Sequence, residues 1–136
     1  MQDCLFCKIA VGEMPSSKVY EDDAAMAFMD INPWSRGHTL VIPKEHAATI
    51  FELSEEGGGA MIKAVLKVAP AVKAAVEAEG MNLLQSNGRV AWQQVDHVHI
   101  HLVPRWANDG LRAPAKPQPG DMDEIGRLAE AIKRAL

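Results

Sequence analysis

All five histidines of this 136-residue chain fall in two short segments, 38–46 and 97–101. In the second segment, His97, His99 and His101 alternate with apolar residues. Side chains at positions i, i+2 and i+4 of a strand point to the same face. The spacing therefore predicts a strand with imidazoles along one face and core residues along the other.

Two kinds of chemistry suit such a row of imidazoles. Neutral imidazoles bind zinc, and a positioned imidazole can act as a nucleophile, acid or base on a phosphate or acyl group. Because a strand rises ~3.3 Å per residue, the Cα atoms of His97 and His101 should lie roughly 13 Å apart, so one metal ion is not expected to bind all three histidines. Neighbouring imidazoles could still share a metal. We expect the histidine at one end of the row to have a structural role, and the middle histidine and the one at the far end to take part in the reaction.

The two cysteines, Cys4 and Cys7, form a CxxC pair. In a cytosolic chain such a pair more often binds a metal or takes part in redox chemistry than forms a structural disulfide. Taken alone the pair is a weak signal, because two buried thiols without a function would show the same spacing.

Short β-type segments are predicted to position the histidines. Residues 18–31 predict two strands joined by a turn at 22–23, and the Asn-Pro and Gly content of 32–37 predicts a loop. Residues 38–43 and 97–103 predict further strands, each ended by a proline. The imidazole row would then lie in a sheet beside the strand that follows the loop.

A long helix is predicted in the middle of the chain. Ser54, followed by two glutamates, is typical of a helix N-terminus, and Gly80 is a good terminator. Three glycines at 57–59 weaken the first turns, and Pro70 should kink the helix or divide it.

The remaining segments complete the fold prediction. Residues 81–86 predict a buried strand, 107–120 a loop rich in Pro, Gly and Asn, and 121–136 a closing helix. Strands combined with one long central helix and a C-terminal helix indicate an α+β fold with a mainly antiparallel sheet. The length fits one domain, 1–136.

Composition narrows the class of protein. The formal net charge is −4 and the basic residues are scattered, which disfavours a long nucleic-acid partner but leaves room for a small phosphate ligand. The apolar runs are too short for a membrane span, and the N-terminus has no signal-peptide pattern. A cytoplasmic location is the resulting expectation.

Several motifs together resemble the histidine triad (HIT) family, and most closely its bacterial Hint-like branch. The run 97–103 matches the family's His-φ-His-φ-His-φ-φ motif at every position, where φ is an apolar residue. Segments 37–46, 28–32 and 4–9 match as well, in the same order, and the resemblance extends to about Trp106. The family's HIT-like α+β fold agrees with the elements predicted above.

The resemblance implies a hydrolase or nucleotidyl transferase that acts on a purine nucleotide conjugate, either a phosphoramidate or a dinucleoside polyphosphate. The middle histidine, here His99, would attack the α-phosphate and form a nucleotidyl-histidine intermediate, which water then cleaves. A backbone carbonyl is the expected hydrogen-bond partner of its other ring nitrogen. His101 and His38 would flank the phosphate and stabilise the charge on its oxygens.

The resemblance also implies a set of nucleotide-binding residues. Asp30 corresponds to the residue that accepts both ribose hydroxyls, and Gln93 corresponds to a phosphate-site glutamine. The residues that match the apolar base pocket are Leu5, Phe6, Ile9, Phe28 and Ile31. The chain departs from the family pattern where Trp92 replaces a glycine and Ser86 replaces an amide, so Ser86 or the adjacent Asn87 is expected to take over that amide's role.

A structural zinc ion and a homodimer are further implications of the resemblance. The zinc ligands would be Cys4, Cys7, His46 and His97, a closed set of two thiolates and two imidazoles. With His97 held by zinc, the chemistry falls to His99. The long helix would lie at the dimer interface.

Three other interpretations stay open from the sequence. The row of histidines could hold a catalytic zinc that activates water, although the closed ligand set argues against an open coordination position. The chain could be a nucleotide-binding regulatory protein with little activity, although the intact His99 argues modestly against this. Redox activity at the CxxC pair is a third, but no thioredoxin-like βαβ unit surrounds it.

Overall fold

The computed structural model describes residues 3–136, so Met1 and Gln2 lie outside the described part. The elements are α1 (Leu5–Ala10), β1 (Lys18–Glu21), β2 (Ala25–Met29), β3 (Thr39–Pro43), α2 (Glu55–Val76), β4 (Gly80–Gln85), β5 (Ile100–Arg105) and α3 (Met122–Ala135), with a 3₁₀ turn at Arg89–Ala91. This order confirms the predicted α+β class with a long central helix and a C-terminal helix.

The five strands form one sheet in the order β1-β2-β3-β5-β4, and each neighbouring pair is antiparallel. β3 and β5 pair at the centre, with Thr39 opposite Leu102 and Leu40 opposite His101. This register places the beginning of β3, where His38 lies, beside the histidines of β5.

Two apolar clusters cover the two faces of the sheet, because neighbouring residues of a strand point to opposite sides. The α2 face contains Ala25, Ala27, Val41, Met61, Ala64, Val65, Val68, Val98, Ile100 and Leu102. The α1 face contains Phe6, Ile9, Met26, Phe28, Leu40 and Ile42. The apolar residues between the histidines therefore belong to the α2 core, as the alternation predicted, and the imidazoles point to the side of α1.

Helix α2 begins as predicted but ends earlier. The Ser54 hydroxyl accepts a hydrogen bond from the Gly57 N–H at 3.0 Å, which caps the N-terminus. The helix runs unbroken through Pro70, so the predicted division is wrong. Pro70 removes a bond to the carbonyl of Leu66, whose side chain is exposed, so water can satisfy that group. The helix ends at Val76, with Glu77 in the left-handed region as its C-cap.

The strands also differ from the prediction in position and burial. Gly80 does not terminate a helix but begins β4, and β4 is a half-exposed edge strand rather than a buried one, with Leu83 51% exposed. β5 begins at Ile100, so His97 and His99 precede it in irregular backbone, and it continues past Pro104 to Arg105. The pairing of β5 with β3 extends only to Leu102. Pro104 therefore lies beyond it, and its missing N–H removes no hydrogen bond between β5 and β3.

The C-terminal part lies outside both apolar clusters. Residues 107–120 contain no helix or strand, as predicted, and Asp121 caps α3 by accepting the Asp123 N–H at 2.9 Å. No residue of α3 is buried. Within residues 3–136, no helix combines the length and the apolar character that a membrane crossing needs.

Candidate active site

Three histidines from neighbouring segments meet on the α1 side of the sheet. His38 directly precedes β3, His101 lies in β5, and His99 lies just before β5. The Nε2 atom of His38 is 2.9 Å from Nδ1 of His101, and the rings of His99 and His101 have centroids 4.8 Å apart. The structure therefore brings together the three residues that were predicted to be catalytic.

The hydrogen bond of His99 determines which of its ring nitrogens is free. Its Nδ1 lies 2.6 Å from the carbonyl oxygen of His97. A carbonyl can only accept, so Nδ1 carries the proton and the Nε2 lone pair of a neutral ring is left available. The partner is a backbone carbonyl, as the sequence led us to expect.

A chain of hydrogen bonds determines the tautomers of the other two histidines. The Trp34 N–H donates to Nδ1 of His38 at 2.9 Å, so the proton of a neutral His38 is on Nε2. That Nε2–H donates to Nδ1 of His101. The proton of His101 is consequently on Nε2, which makes this atom a hydrogen-bond donor beside His99.

Burial keeps the three imidazoles neutral near pH 7. It lowers the pKa of His99, against the opposing effect of the hydrogen bond to His97. It also lowers the pKa of His38, where the Asp30 carboxylate opposes it. Burial, reinforced by His99 and His38, lowers the pKa of His101 to about 4. Neutral rings are the forms that a nucleophile and its hydrogen-bonding neighbours need.

Asp30 lies at the edge of this group. One carboxylate oxygen is 3.6 Å from Nε2 of His38, and the other accepts the Asn32 N–H at 2.8 Å. Ligand atoms of Asp30, His38 and His101 lie within 4.8 Å of one another. However, a metal ion needs a lone pair on Nε2 of His38, where the Trp34 hydrogen bond requires a proton. The hydrogen bonding therefore favours a polar contact over a metal site.

The predicted base-pocket residues divide into two groups. Phe6, Ile9 and Phe28 are buried, and the Phe6 ring stands edge-on to His99 with centroids 5.1 Å apart. In contrast, Leu5 is 42% exposed and Ile31 is 89% exposed. The apolar wall beside His99 is thus part of the α1 core cluster, and the two exposed side chains lie at the surface.

Gln93 and Asn87, two of the residues predicted to contact the phosphate, form hydrogen bonds to the protein backbone instead. Gln93 is 2% exposed; its amide oxygen accepts the Gly88 N–H at 2.7 Å and its amide nitrogen donates to the Ala48 carbonyl at 2.6 Å. Asn87 accepts the Ile50 N–H, and Ser86 is buried. Among residues 3–136, none of the three predicted residues forms a hydrogen bond to His38, His99 or His101.

Trp34 is a site residue that the sequence reasoning placed only in a loop. Its indole stacks on the His101 ring, with centroids 4.9 Å apart and planes at 14°. The signal that could have revealed it is a large aromatic residue four positions before His38, in a loop between two family motifs.

A second cluster contains the four predicted metal ligands. Nδ1 of His97 lies 3.4 Å from Sγ of Cys4, 3.5 Å from Sγ of Cys7 and 3.3 Å from Nδ1 of His46. A tetrahedral ion with bonds of ~2.0–2.3 Å needs ligand separations of roughly 3.3–3.8 Å. The four residues therefore fit a tetrahedral metal ion.

The surroundings of His97 also suit metal binding. Its Nε2–H donates to the Pro43 carbonyl at 2.8 Å, which leaves the Nδ1 lone pair directed at the cluster. Burial, together with Cys4, raises the pKa of Cys7 to about 11 when no ion is bound. A bound ion would replace the thiol proton.

The fold and site define an antiparallel α+β domain with a buried imidazole whose Nε2 is free, beside a Cys2His2 cluster. A family model described as the HIT domain matches residues 11–108. A protein named adenosine 5'-monophosphoramidase, from Schizosaccharomyces pombe, is 45% identical over 134 residues, which are 98% of this chain and 98% of that protein. This chain belongs to the histidine triad family.

Solved structures agree with this assignment. The crystal structure of a HIT family member from Bacillus subtilis is similar with a TM-score of 0.92 and 39% identity, over 98% of this chain and 97% of that one. A zinc-bound histidine triad protein from Mycobacterium smegmatis is similar with a TM-score of 0.77 and 37% identity, over 96% of this chain and 92% of that one. The predicted HIT-like fold is confirmed.

Proposed function

We propose that this protein hydrolyses, or transfers the nucleotidyl group of, a purine nucleotide conjugate through a nucleotidyl-histidine intermediate on His99. The observation that carries the proposal is the 2.6 Å hydrogen bond from His99 Nδ1 to the His97 carbonyl. It leaves Nε2 as a buried, neutral nucleophile. That the chain is a nucleotide hydrolase of the HIT family is supported by relatives named adenosine 5'-monophosphoramidase.

The reaction divides one displacement into two steps. In the first, the Nε2 lone pair of His99 forms a bond to the α-phosphorus while the bond to the leaving group breaks, and the leaving group takes up a proton. In the second, water attacks the same phosphorus, loses a proton and releases the nucleoside monophosphate. His99 then returns to its neutral form, held by the same carbonyl.

The neighbouring side chains would bind the charge that develops on the phosphate. Nε2–H of His101 is a donor beside His99, and His38 orients it through the 2.9 Å hydrogen bond. Donors held in place before the reaction stabilise a developing oxyanion without reorganisation. Asp30 would accept ribose hydroxyls, and Phe6, Ile9 and Phe28 would form the apolar wall beside the base.

The phosphate side needs one rearrangement. The Gln93 amide nitrogen donates to the Ala48 and Val95 carbonyls, so Gln93 can donate to a phosphate only by giving up one of these hydrogen bonds. Ser86 makes no hydrogen bond through its hydroxyl within residues 3–136, so it is free to act in place of the family's amide. We therefore favour Ser86 over Asn87 for this role, while Gln93 shapes the loop.

A structural zinc ion is the second part of the proposal. Cys4, Cys7, His46 and His97 would hold it, and its chemistry would be to stabilise the fold rather than to activate water. The four ligands fill a tetrahedral shell, so no coordination position stays open for a substrate. The tetrahedral fit of their atoms supports this, as does the zinc-bound relative.

A homodimer in the cytoplasm completes the proposal, with the whole chain, 1–136, as one domain. Exposed apolar side chains on the outer surface of α2, Ile62 at 47% and Leu66 at 71%, support an interface there. β4 is an edge strand and adds the exposed Leu83.

The direct test follows AMP release from an adenosine phosphoramidate such as AMP-lysine. Wild-type protein should release AMP, and His99→Ala should reduce kcat by at least ~10³-fold because the nucleophile is gone. A matched control, Val90→Ala, removes a fully exposed apolar side chain of the 3₁₀ turn and should retain activity. Trapped wild-type protein should gain the mass of one adenylyl group on the peptide that contains His99.

Two results would contradict the proposal. Release that survives in His99→Ala would mean that another group is the nucleophile. A folded wild-type protein that binds AMP but releases none from any phosphoramidate or dinucleoside polyphosphate would favour a regulatory nucleotide-binding role.

A further inference from the structure

We propose that Trp34 is a positioning residue of this site, which holds the His38–His101 pair so that Nε2–H of His101 is directed at the phosphate. The role of that proton rests on the function proposed above. The contacts that orient the two rings are independent of the substrate.

The indole of Trp34 contacts both histidines of the pair. It lies parallel to His101 at 14°, with centroids 4.9 Å apart, and is tilted at 56° to His38 with centroids 5.1 Å apart. Offset stacking of aromatic rings favours one orientation over others. The indole therefore restrains rotation of the His101 ring about its side-chain bonds.

The backbone of the same residue sets the protonation pattern. The Trp34 N–H donates to His38 Nδ1 at 2.9 Å, which forces the His38 proton onto Nε2, and this proton in turn is donated to His101 Nδ1. Trp34 thus sets the tautomers of His38 and His101 through its backbone N–H. Through its indole it also orients the His101 ring.

The loop that carries Trp34 is anchored at several points. The Ser35 hydroxyl donates to the Pro104 carbonyl at 2.7 Å, and the His38 N–H closes a turn onto the Ser35 carbonyl at 3.1 Å. Gly37 has φ of +88°, and a Cβ there would lie 2.9 Å from a methyl carbon of Val76. The loop is therefore attached to β5 and packed against the end of α2.

Trp34 is not a core residue in the usual sense. It is 47% exposed and belongs to neither apolar cluster. An exposed indole that stacks on the partly buried His101 imidazole contributes little to the core, so its replacement should leave the protein folded. This makes a substitution at Trp34 a clean test of positioning.

The indole also shields His101 from water. The titratable groups that face His101 are His99, His38 and Asp30. Of these, only Asp30 raises the pKa of His101. Burial is the largest cause of the lowered pKa of His101, which is about 4, and the stacked indole covers one face of that ring. Removal of the indole should therefore raise the pKa of His101 towards its ordinary value.

The test compares Trp34→Ala, Trp34→Phe and the control Trp106→Ala in the full chain. Trp106 follows β5 at five residues from His101, or ~16 Å along the strand, and its indole N–H donates to the Glu77 carbonyl instead. With AMP-lysine, Trp34→Ala should lower kcat by about 10- to 100-fold and leave KM within about threefold. Trp34→Phe should recover most of the loss, and Trp106→Ala should keep the wild-type kcat.

The second measurement needs no substrate. Nitrogen chemical shifts of the histidine rings report each tautomer and its titration. Wild type should show Nε2–H for His38 and His101. Trp34→Ala keeps the backbone N–H that sets the tautomers, so both rings should stay Nε2–H, but loss of the stacked indole should make the pKa of His101 at least ~1 unit higher. Trp34→Phe and Trp106→Ala should resemble wild type.

The outcomes separate the two proposals. If Trp34→Ala leaves both the His101 spectrum and kcat unchanged, the positioning role is wrong. If wild type releases no AMP, the proposed function fails, and the ring spectra still decide whether Trp34 positions His101.

Discussion

At the scale of single residues, the site consists of neutral histidines whose proton positions are set by their hydrogen-bond donors and acceptors. Nδ1–H of His99 donates a hydrogen bond to the His97 carbonyl, and Nδ1 of His38 accepts one from the Trp34 backbone N–H. Backbone groups cannot rotate away or change their protonation. The free lone pair on His99 and the free donor on His101 are therefore properties of the folded chain, present before any substrate binds.

The low pKa of His101 makes a prediction about stability. Its pKa is about 4 in the folded protein against an ordinary 6.5, so between these values the unfolded chain binds a proton that the folded chain does not. The free energy of unfolding should fall as the pH falls from about 6.5 to about 4, and His101 should contribute no pH dependence above about 7. The lowered pKa of His38 acts in the same direction.

Thermal unfolding at several pH values, for wild type and His101→Asn, measures this contribution. Tm of wild type should fall by a few degrees more than that of the variant over this range. Carboxylates that titrate near pH 4 are common to both proteins, so their effect cancels in the comparison. Equal pH dependence in the two proteins would mean that the fold does not lower the pKa of His101.

At the scale of elements, the Cys2His2 cluster connects three segments that are distant in sequence. Cys4 and Cys7 belong to the start of α1, His46 follows β3, and His97 precedes β5. α1 has only six residues, too few to be stable alone in water. It also carries Phe6, whose ring lies against His99. A metal ion at this cluster would hold one wall of the active site in place.

Removal of the metal should therefore destabilise the protein. At a free metal concentration 100 times Kd, binding contributes ~2.7 kcal/mol, so treatment with a chelator should lower Tm by about 10 °C. Elemental analysis should find one zinc per chain in wild type, and less in Cys7→Ser.

The control for this experiment is His99→Ala, which lies two residues from His97 but outside the cluster, and should retain its zinc. A purified protein without bound metal, or a Tm that does not respond to the chelator, would contradict the structural zinc.

At the scale of the whole molecule, apolar surface is left uncovered. Leu66 on α2 and Leu83 on β4 are more than half exposed. Exposed apolar side chains on a helix and on an edge strand are typical of a self-association surface. The edge of β4 also offers unpaired backbone groups, which a second copy could satisfy.

A charge placed on this surface should disrupt the proposed dimer. Light scattering after size exclusion should give twice the chain mass for wild type, and Leu66→Glu should shift the protein to a monomer at micromolar concentration, because dimerisation would bury an unpaired carboxylate. Val90→Glu, at a site 97% exposed in the 3₁₀ turn, is the matched control and should remain a dimer. A wild-type monomer at the same concentration would exclude the interface.

The elements were predictable where local chemistry determines them. The Ser54 cap, the turn between β1 and β2, and the alternation of Val98, Ile100 and Leu102 follow from residue type and spacing alone. The errors occurred where tertiary contacts decide. The composition of β4 predicts a buried strand, but β4 lies at the edge of the sheet, and α2 continues through Pro70 without a break.

The sequence by itself determined the family, the imidazole row and the four thiol and imidazole residues of the cluster, because these depend on residue types at short or characteristic spacings. Only the tertiary structure decided which ring nitrogens carry protons, that Gln93 is held by backbone groups, and that Trp34 lies on His101. The reason is physical. A tautomer depends on which donor or acceptor lies within hydrogen-bond distance of each ring nitrogen. Strand pairing and loop anchoring bring that partner into place, and spacing along the chain does not encode it.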